Sequence, residues 1–256
     1  MWPSPPKVGW LHLSARFSIV IPAWNEEALL SRLLDTVDVA RARFRHGADA
    51  VEVIVADNAS TDRTAAIARE RRCTVARVEQ RRIASVRNGG AAVARGDVLA
   101  FVDADMRVHP DTFDAIDETL ATGRYVGGAT GVRLERWSPG ILATWLLLMP
   151  WVVLLRMDTG VVFCRREDFV RIGGYEEARH FGEDVALLVA LKRLGRARGQ
   201  TLTRVTAAKA LASMRKFDRH GDWHYFRLFA GVGISMLRDP QASTDFARRY
   251  WYGDDR

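Results

Sequence analysis

Cysteine is scarce in this sequence, with two residues, Cys73 and Cys164, among 256. Their spacing matches no metal-binding motif, which excludes a zinc finger and predicts two reduced core thiols in a cytosolic protein. Long apolar runs are also missing. The most apolar stretch, residues 141–155, is shorter than the roughly 20 residues of a membrane span and contains Pro150. We expect a buried helix or an interfacial segment there. The first residues lack an apolar region after a basic one, so we expect no signal peptide.

The charge of the chain is unbalanced toward basic residues. Lysine and arginine number 38 against 31 acidic residues, which gives a formal net charge of +7 and a pI of about 9.9. Such a balance suits an anionic ligand, an acidic membrane surface or nucleic acid. No nucleic-acid-binding motif is present, so we expect no nucleic-acid partner. Hydrophobic residues make up 48% of the chain, which is enough for a folded core.

Apolar runs alternate with helical spacing through the first half of the chain. Strands are predicted at residues 17–21, 51–56, 74–78 and 98–102, with helices between them. Pro22 is expected to end the first strand, and Ser60 or Thr61 to cap the second helix. This order predicts an α/β fold with a doubly wound, mostly parallel sheet. The second half is less regular, with helices expected at 110–120, 141–155, 185–194 and 223–237 and strands at 125–133, 159–164 and 201–206.

No repeat, low-complexity tract or linker divides the sequence, so we predict a single domain at residues 16–226. Residues 1–15 are expected to form an irregular lead, because three prolines occur among the first six residues. Residues 227–256 are expected to form a helical tail.

Two aspartates follow directly after an unbroken apolar run. Residues 98–102 are all apolar, and Asp103 and Asp105 come next. Such a run is typical of a strand buried on both faces, and ligands bind at the carboxyl ends of these strands. At positions i and i+2 the carboxylates would share a side, where oxygen ligands suit Mg²⁺ or Mn²⁺. The alternative is a pair of solvated turn aspartates, because aspartate is common in turns.

Two more polar segments are predicted at the same edge of the sheet. Residues 22–27 (PAWNEE) follow the first strand, and residues 57–62 (DNASTD) follow the second. Carboxylates there can accept hydrogen bonds from a nucleotide base or from ribose hydroxyls. The alternatives are a loop cap for Asp57 and favourable charge at a helix N-terminus for Glu26 and Glu27.

Five segments together resemble the family 2 glycosyltransferases of the GT-A fold. They are PAWNEE at 22–27, ADNASTD at 56–62, SVRNGGAAVARGD at 85–97, FVDADM at 101–106 and GED at 182–184. All five occur in the family's order and spacing, and the resemblance extends from about residue 17 to about residue 195. It implies that residues 16–105 form a nucleotide-sugar-binding half and residues 106–226 an acceptor half.

The resemblance also implies roles for individual residues. The nucleotide would be bound by Pro22, Ala23, Glu26, Asp57, Arg87 and Asp103. The Gly89-Gly90 pair would lie under the nucleotide sugar, where glycine permits close backbone approach. Asp103 and Asp105 match the DxD motif that holds the metal. Asp184 would be the catalytic base with Glu183 beside it, and the alternative is that both acids only stabilise a helix N-terminus.

The remaining implied positions surround the donor sugar and the acceptor. They are Thr159-Gly160, Gly173-Gly174-Tyr175 and Arg215. Arg215 with Lys216 would close over the diphosphate. His220 is the candidate third metal ligand, with His180 and His224 as alternatives. The QxxRW element of processive members is missing, because Arg136-Trp137 occurs too early in the chain. The sequence therefore predicts an enzyme that adds one sugar.

These expectations combine into a non-processive, inverting, metal-dependent glycosyltransferase. One carboxylate base and one divalent cation, Mn²⁺ or Mg²⁺, suffice for a single displacement. A UDP-sugar is the first choice of donor and GDP-mannose the second. The alternatives are a sugar-phosphate nucleotidyltransferase, which would need a Gly-rich phosphate loop after the first strand, and a non-catalytic sugar-nucleotide-binding domain.

The acceptor is left open by the sequence. It is expected to be a hydroxyl or a lipid phosphate, and residues 141–155 either pack in the core or meet a membrane interface. The second option would make the protein cytoplasmic with a peripheral contact at the inner face of the cell membrane. The Tyr250-Trp251-Tyr252 cluster is either a homodimer interface or a segment that folds back on the core.

Overall fold

The computed structural model describes residues 15–179 and 182–227. Its strands form one seven-stranded sheet. The strands are β1 (Phe17–Ala23), β2 (Val51–Asp57), β3 (Thr74–Arg77), β4 (Val98–Phe101), β5 (Tyr125–Leu134), β6 (Val162–Arg165) and β7 (Thr201–Ala212). The helices are α1 (Leu30–Arg43), α2 (Thr64–Glu70), α3 (Ile83–Ala92), α4 (Thr112–Ala121), α5 (Pro139–Leu155), α6 (Arg166–Arg171), α7 (Glu183–Arg196) and α8 (Arg215–His220).

The sheet is mostly parallel, as the sequence predicted. Its strand order is β3-β2-β1-β4-β6-β5-β7. The first four strands in this order are parallel to one another, β6 is antiparallel to both its neighbours, and β7 is parallel to β5. The carboxyl ends of β1, β2 and β4 therefore meet at one edge, which is where ligands bind in open α/β sheets.

The central strands are buried on both faces. Ile19 of β1 packs on one face with Leu33 of α1 and Phe113 of α4. Val20, the next residue, packs on the other face with Val86 of α3 and Leu188 of α7. A strand covered by helices on both sides has no polar face, which explains the unbroken apolar run in the sequence.

β1 continues to Ala23, so the prediction that Pro22 ends the strand is wrong. Pro22 pairs with Ala56 of β2. On the other side of β1, β4 ends at Phe101, which lies opposite Val20. Proline has no N–H to donate, and it is tolerated here because the edge facing β4 is already free of ladder hydrogen bonds.

Several other boundaries differ from the predicted ones. β7 runs to Ala212 instead of residue 206, because Val132 and Leu134 of β5 pair with Ala210 and Ala212. β6 begins at Val162 instead of residue 159. α4 begins at Thr112, so Pro110 precedes the helix and does not lie in its first turn.

α5 is a helix, but it is not the buried core helix that was one of the two expectations. Its buried residues are Gly140, Ile141 and Thr144, all near its first turns. Farther along, Trp151 is 61% exposed and Leu154 is 72% exposed. No helix within residues 15–179 and 182–227 combines the length and the apolar character needed to cross a membrane.

Some predicted features lie outside the described residues. The helix expected at 223–237 can be followed only as far as Arg227. The lead at 1–14, His180 and the Tyr250-Trp251-Tyr252 cluster also lie outside the described part of the chain.

Candidate active site

The loop after β1 is fastened to the loop after β2. Asn25 Oδ1 accepts a hydrogen bond from Thr61 N at 2.9 Å, and Ser60 Oγ accepts one from Asn25 N at 3.0 Å. Ser60 and Thr61 are used in this contact, so the prediction that one of them caps α2 is wrong. Instead, Asp62 Oδ1 accepts a hydrogen bond from Thr64 N at 2.9 Å, at the start of α2. Asn25 was not among the predicted site residues, although it lies within the PAWNEE segment.

Three predicted nucleotide-base residues lie together at the ends of β1 and β2. Pro22 and Ala23 are buried, and Ala23 pairs with Asp57 across the two strands. Asp57 is 2% exposed, and its Oδ1 accepts a hydrogen bond from Ser60 N at 3.2 Å. This contact is the loop cap considered from the sequence. It fixes the orientation of the carboxylate at the sheet edge.

Trp24 stands beside this group and was missed by the sequence reasoning. Its Nε1 is buried and has no hydrogen-bond partner in the described part of the chain. The Arg81 guanidinium lies 5.1 Å from the centre of its ring. A buried indole donor without a partner is unusual, because such groups normally find an acceptor.

Asp103 and Asp105 lie in a tight turn directly after β4. Met106 N donates to Asp103 O at 3.0 Å, which closes the turn. Ala104 is buried in the core, whereas the side chains of Asp103 and Asp105 are 51% and 20% exposed. The turn therefore leaves the two carboxylates exposed to different degrees on either side of a buried residue.

Arg87 connects the DxD turn to the beginning of α7. Its side chain is 5% exposed, and Nη2 donates to Asp103 Oδ1 at 2.8 Å. Nη1 lies 3.1 Å from Glu183 Oε1 and 3.1 Å from Asp184 Oδ1. One buried guanidinium thus compensates three carboxylates from two separate motifs, and Arg87 Nε is left without a partner among the described residues.

Asp184 has an unusual environment for an acid in the first turn of a helix. Tyr175 Oη donates a hydrogen bond to Asp184 Oδ1 at 2.9 Å. Burial raises the pKa of Asp184 to about 6, and the charges of Asp103 and Glu183 raise it further against the opposing effects of Arg87 and Tyr175. A carboxylate with a pKa near neutrality can accept a proton in a reaction at physiological pH. Burial and the neighbouring Asp184 also raise the pKa of Tyr175 well above its ordinary value, so Tyr175 stays a donor.

Arg215 joins the PAWNEE segment to the DxD turn. Its Nη1 and Nη2 donate to Glu26 Oε2 and Oε1 at 2.9 and 2.8 Å, a two-point ion pair. Nη2 also lies 3.5 Å from Asp105 Oδ2. Arg215 begins α8 and is 189 residues from Glu26 in the chain. The structure therefore brings Arg215 to the predicted site, where it contacts two acids that the resemblance assigned to the nucleotide and the metal.

Gly89 and Gly90 let α3 approach its neighbours closely. Both lie inside α3, and a Cβ on Gly90 would come within 2.4 Å of Val20 Cγ1. A Cβ on Gly89 would come within 2.4 Å of Val78 Cγ2. These glycines allow α3 to pack closely on the sheet, and their place under the nucleotide sugar stays a prediction.

Gly174 belongs to a loop that is anchored on α3. Gly174 has φ of +73°, a conformation that favours glycine. Asn88 Oδ1 accepts a hydrogen bond from Tyr175 N, and Asn88 Nδ2 donates to Tyr175 O and to Glu177 Oε1, each at 2.9 Å. Asn88 was missed by the sequence reasoning, although it lies within the segment SVRNGG. It fixes the loop that carries Tyr175 to Asp184.

Thr159 and Gly160 lie before β6. A Cβ on Gly160 would come within 2.4 Å of Thr130 Oγ1, so this residue packs against β5. Thr159 is exposed, and its N donates to Asp158 Oδ1 at 3.2 Å. Asp158 is 4% exposed and forms an ion pair with Arg204 at 2.7 Å. The predicted contacts of Thr159 and Gly160 with a donor sugar stay predictions.

The predicted metal site has two carboxylates as its available ligands. Asp103 and Asp105 supply carboxylate oxygens, which hard divalent cations prefer. Across residues 15–179 and 182–227, no group of three or more histidines, cysteines or acids is placed to hold a metal ion. His220 is exposed and stacks on His224 with ring centres 4.7 Å apart. Its assignment as a metal ligand stays a prediction.

Comparison with known proteins supports the resemblance. Residues 18–182 match the sequence model of glycosyl transferase family 2. The chain belongs to this family. The match decides against the nucleotidyltransferase alternative.

Two curated relatives illustrate the range within the family. Validoxylamine A glucosyltransferase from Streptomyces hygroscopicus subsp. limoneus is 38% identical over 105 residues, which cover 39% of this chain and 22% of that protein. Dolichol-phosphate mannosyltransferase from Pyrococcus furiosus is 25% identical over 174 residues, which cover 60% of this chain and 47% of that protein. The chain thus spans less than half the length of either relative.

Solved structures establish the GT-A fold of this chain. Mannosyltransferase PcManGT from Pyrobaculum calidifontis, in complex with GDP-Man and Mn²⁺, superposes with a TM-score of 0.62 at 19% identity, covering 78% of this chain and 57% of that one. S. aureus TarS 1-349, in complex with UDP-GlcNAc, gives 0.60 at 18% identity, covering 77% of this chain and 58% of that one. At such identities the likeness concerns the fold.

Proposed function

We propose that this family member is a non-processive, inverting glycosyltransferase that moves one sugar from a nucleotide-diphosphate sugar to an acceptor. One observation carries the proposal. The ends of β1 and β4 and the start of α7 contribute five acids that are joined by two arginines. These residues are Glu26, Asp103, Asp105, Glu183 and Asp184, with Arg87 and Arg215 between them.

The nucleotide is proposed to bind at the ends of β1 and β2. Asp57 and the unpartnered Nε1 of Trp24 supply an acceptor and a donor for a base or ribose beside Pro22 and Ala23. A UDP-sugar is our first choice of donor and GDP-mannose the second. Relatives of the same fold are known with each kind of donor, UDP-GlcNAc in one structure and GDP-Man in another.

Asp103 and Asp105 would hold the divalent cation, Mn²⁺ or Mg²⁺. A bound cation at this place would stabilise negative charge on the departing diphosphate by several kcal/mol. The fold relative PcManGT carries Mn²⁺. Arg215 and Arg87 contact these carboxylates, so we expect at least the 3.5 Å contact between Arg215 and Asp105 to change when donor and cation bind. Arg215 would then be available for the diphosphate, which its planar guanidinium suits.

The chemical step is a single displacement at the anomeric carbon. The acceptor oxygen forms a bond to that carbon while the bond to the diphosphate oxygen breaks, and the electron pair of that bond leaves with the nucleotide. Asp184 takes the proton of an acceptor hydroxyl. One carboxylate base gives inversion, whereas retention through a covalent sugar would need a second, nucleophilic carboxylate.

The addition of a single sugar is supported by the position of Arg136-Trp137. Arg136 is engaged by Asp222 and Asp218 at 2.7 Å each, and Trp137 stacks edge-on with Trp145 of α5. These contacts place the pair beside α5, and it lies earlier in the chain than the QxxRW element of processive enzymes.

The acceptor is proposed to be presented by a membrane surface beside α5. The exposed apolar helix, the net charge of +7 and the lipid-phosphate name of one relative support this proposal. The protein would then act from the cytoplasm at the inner face of the cell membrane. A lipid-linked hydroxyl and a lipid phosphate both fit such a surface.

Thermal shift with and without Mn²⁺ tests the proposed function. UDP-glucose, UDP-GlcNAc and GDP-mannose are each added at about 100 times their Kd, where a bound ligand contributes about 2.7 kcal/mol and raises Tm by about 5 °C. At least one donor should stabilise the protein, and more strongly with Mn²⁺. Asp105→Asn should abolish the Mn²⁺-dependent part of the Tm increase. The control is Asp49→Asn, just before β2 and at the opposite edge of the sheet, which should keep that part. If no donor shifts Tm in either condition, the proposed function is wrong.

A product assay separates the enzyme from a non-catalytic binding domain. Release of UDP and β-glucose from UDP-α-glucose would establish an inverting transfer to water. A protein that binds the donor but releases no nucleotide, whichever acceptor is added, would be the non-catalytic alternative.

A further inference from the structure

Tyr175 is the most deeply buried polar contact of Asp184. Its side chain is 1% exposed, and its hydroxyl donates to Asp184 Oδ1 at 2.9 Å. Arg87 Nη1 lies 3.1 Å from the same oxygen. No described residue hydrogen-bonds Asp184 Oδ2. The two oxygens of the carboxylate are therefore not equivalent, because one is held by two donors and the other is left for a further proton.

The ring of Tyr175 is held independently of its hydroxyl. It packs edge-on against Phe101 with ring centres 5.1 Å apart, and Phe169 is 5.9 Å away. The Arg87 guanidinium lies 5.2 Å from the ring centre. Asn88 binds both the N and the O of Tyr175. Because ring and backbone have their own contacts, the hydroxyl can be removed without removing what places it.

The charges around Asp184 favour a neutral acceptor. Asp184 shares the single guanidinium of Arg87 with Asp103 and Glu183. An acceptor that arrives already ionised, such as a phosphate, would bring more negative charge toward three carboxylates, and like charges repel strongly where water is scarce. A hydroxyl has no charge to repel and carries the proton that a carboxylate can take.

We infer that Tyr175 is a positioning residue that holds Oδ1 of Asp184, so that Oδ2 receives the proton of a neutral hydroxyl acceptor. The inference rests on the proposed function and narrows its acceptor from hydroxyl or phosphate to hydroxyl. In the transfer, the acceptor oxygen bonds to the anomeric carbon and its proton passes to Oδ2. The diphosphate oxygen keeps the electron pair of the broken bond, and Tyr175 retains its own proton throughout.

The matched test is Tyr175→Phe, which removes one oxygen atom and keeps the ring. The reaction measured is hydrolysis of UDP-glucose or GDP-mannose with Mn²⁺, in which water is the hydroxyl acceptor. We expect kcat to fall about tenfold with the donor KM unchanged. Because the lost hydrogen bond favoured the carboxylate, the acidic limb of the kcat profile should move to higher pH. Tyr125→Phe is the control, because Tyr125 is half-buried at the start of β5 and outside the site, and it should change neither quantity.

A second background separates positioning from general support of the fold. In Asp184→Asn, the Tyr175→Phe change should cause no further loss of kcat. If Tyr175→Phe loses the same factor in both backgrounds, or lowers kcat without moving the acidic limb, the hydroxyl does not act through Asp184. Unchanged hydrolysis in both Tyr175→Phe and Asp184→Asn would show that Asp184 takes no proton from a hydroxyl acceptor and would also overturn the inference.

If the protein turns over no donor, the proposed function itself has failed. An NMR titration still tests the contact between Tyr175 and Asp184 in that case. Carbon-labelled aspartate should show a higher pKa for Asp184 in Tyr175→Phe than in the wild type. In the wild type alone, the Cζ resonance of Tyr175 should shift as Asp184 titrates, which needs no variant to fold. A Tyr175 resonance that does not respond to the titration of Asp184 would contradict the inference.

Discussion

At the residue scale, the site depends on Arg87. This side chain is 5% exposed and faces Asp103, Glu183 and Asp184, so its charge compensates three acids from two motifs. The pKa of Arg87 is raised well above its ordinary value, because the attraction of these acids outweighs the cost of burial. A buried cation in such a place is needed for the acids to be ionised together.

Replacing Arg87 by methionine should therefore destabilise the protein. The change leaves carboxylates without their partner in a partly buried site, and we expect a loss of about 3 kcal/mol in the free energy of unfolding. Urea denaturation measures it. Arg77→Met is the control, because Arg77 and its partner Glu79 are 66% and 72% exposed. Such a surface pair contributes little to stability, because water and salt screen it. Equal effects of the two changes would contradict this account of Arg87.

The raised pKa of Asp184 predicts that activity falls in acid. The carboxylate form is required to accept a proton, so donor turnover should drop as the pH decreases through about 6. A pH profile of kcat/KM checks this expectation, because that ratio reports the pKa of the free enzyme. Constant activity down to about pH 4, the ordinary range of an aspartate, would contradict the raised pKa of Asp184 as the base.

The same shift predicts the opposite trend for stability. Because the folded pKa lies above the unfolded one, Asp184 contributes stability at low pH, and this contribution is lost as the pH rises through about 6. Asp184→Asn cannot ionise, so its stability relative to the wild type should improve between about pH 5 and about pH 8. Urea denaturation of both proteins at the two pH values measures the difference. A constant difference would contradict the raised pKa.

At the scale of single elements, α5 is the exception in this fold. Between Pro139 and Leu155 it contains no charged residue, yet most of its large side chains are exposed. A helix that is apolar all round is normally covered by protein or by lipid. Its first turn is tied to the segment before Arg227, since a Cβ on Gly140 would come within 2.7 Å of Asp222 O.

Polar substitutions on α5 should weaken membrane binding. In the double variant Trp151→Ser and Leu154→Ser, loss of two apolar anchors at about 1.5 kcal/mol or more each should reduce co-sedimentation with anionic vesicles at low salt at least about tenfold. Val170→Ser on α6 is the control, because Val170 is 69% exposed on another helix. Absence of wild-type binding would end the lipid-facing proposal. Light scattering would show whether α5 instead covers a second copy of the chain.

At the scale of the whole molecule, the sequence predicted the architecture better than the contacts across it. The apolar runs of β1, β2 and β4 are continuous because helices cover both faces, so their order and the acids at their ends could be recognised directly. The exposure of α5 could not be predicted, because an all-apolar helix has the same sequence pattern in a core and on a surface.

The contacts that complete the site are long-range. Arg215 meets Glu26 across 189 residues, and Arg87 meets Glu183 across 96. Asn88 was not among the predicted site residues, because nothing in local spacing marks it as the partner of Tyr175, 87 residues away. The close packing of Gly89 and Gly90 was also missed, because their neighbours Val78 and Val20 come from other parts of the chain.

The central claim is that the acids at the carboxyl ends of β1, β2 and β4 bind a nucleotide-diphosphate sugar together with a divalent cation. A crystal structure with Mn²⁺ and UDP tests it most directly, because the anomalous signal of manganese locates the ion without reference to a model. The account predicts a manganese peak bound by Asp105, with the diphosphate beside it and the contact between Arg215 and Asp105 broken. A complex in which UDP and manganese bind elsewhere, while Arg87 and Arg215 still pair with Asp103 and Asp105, would contradict it.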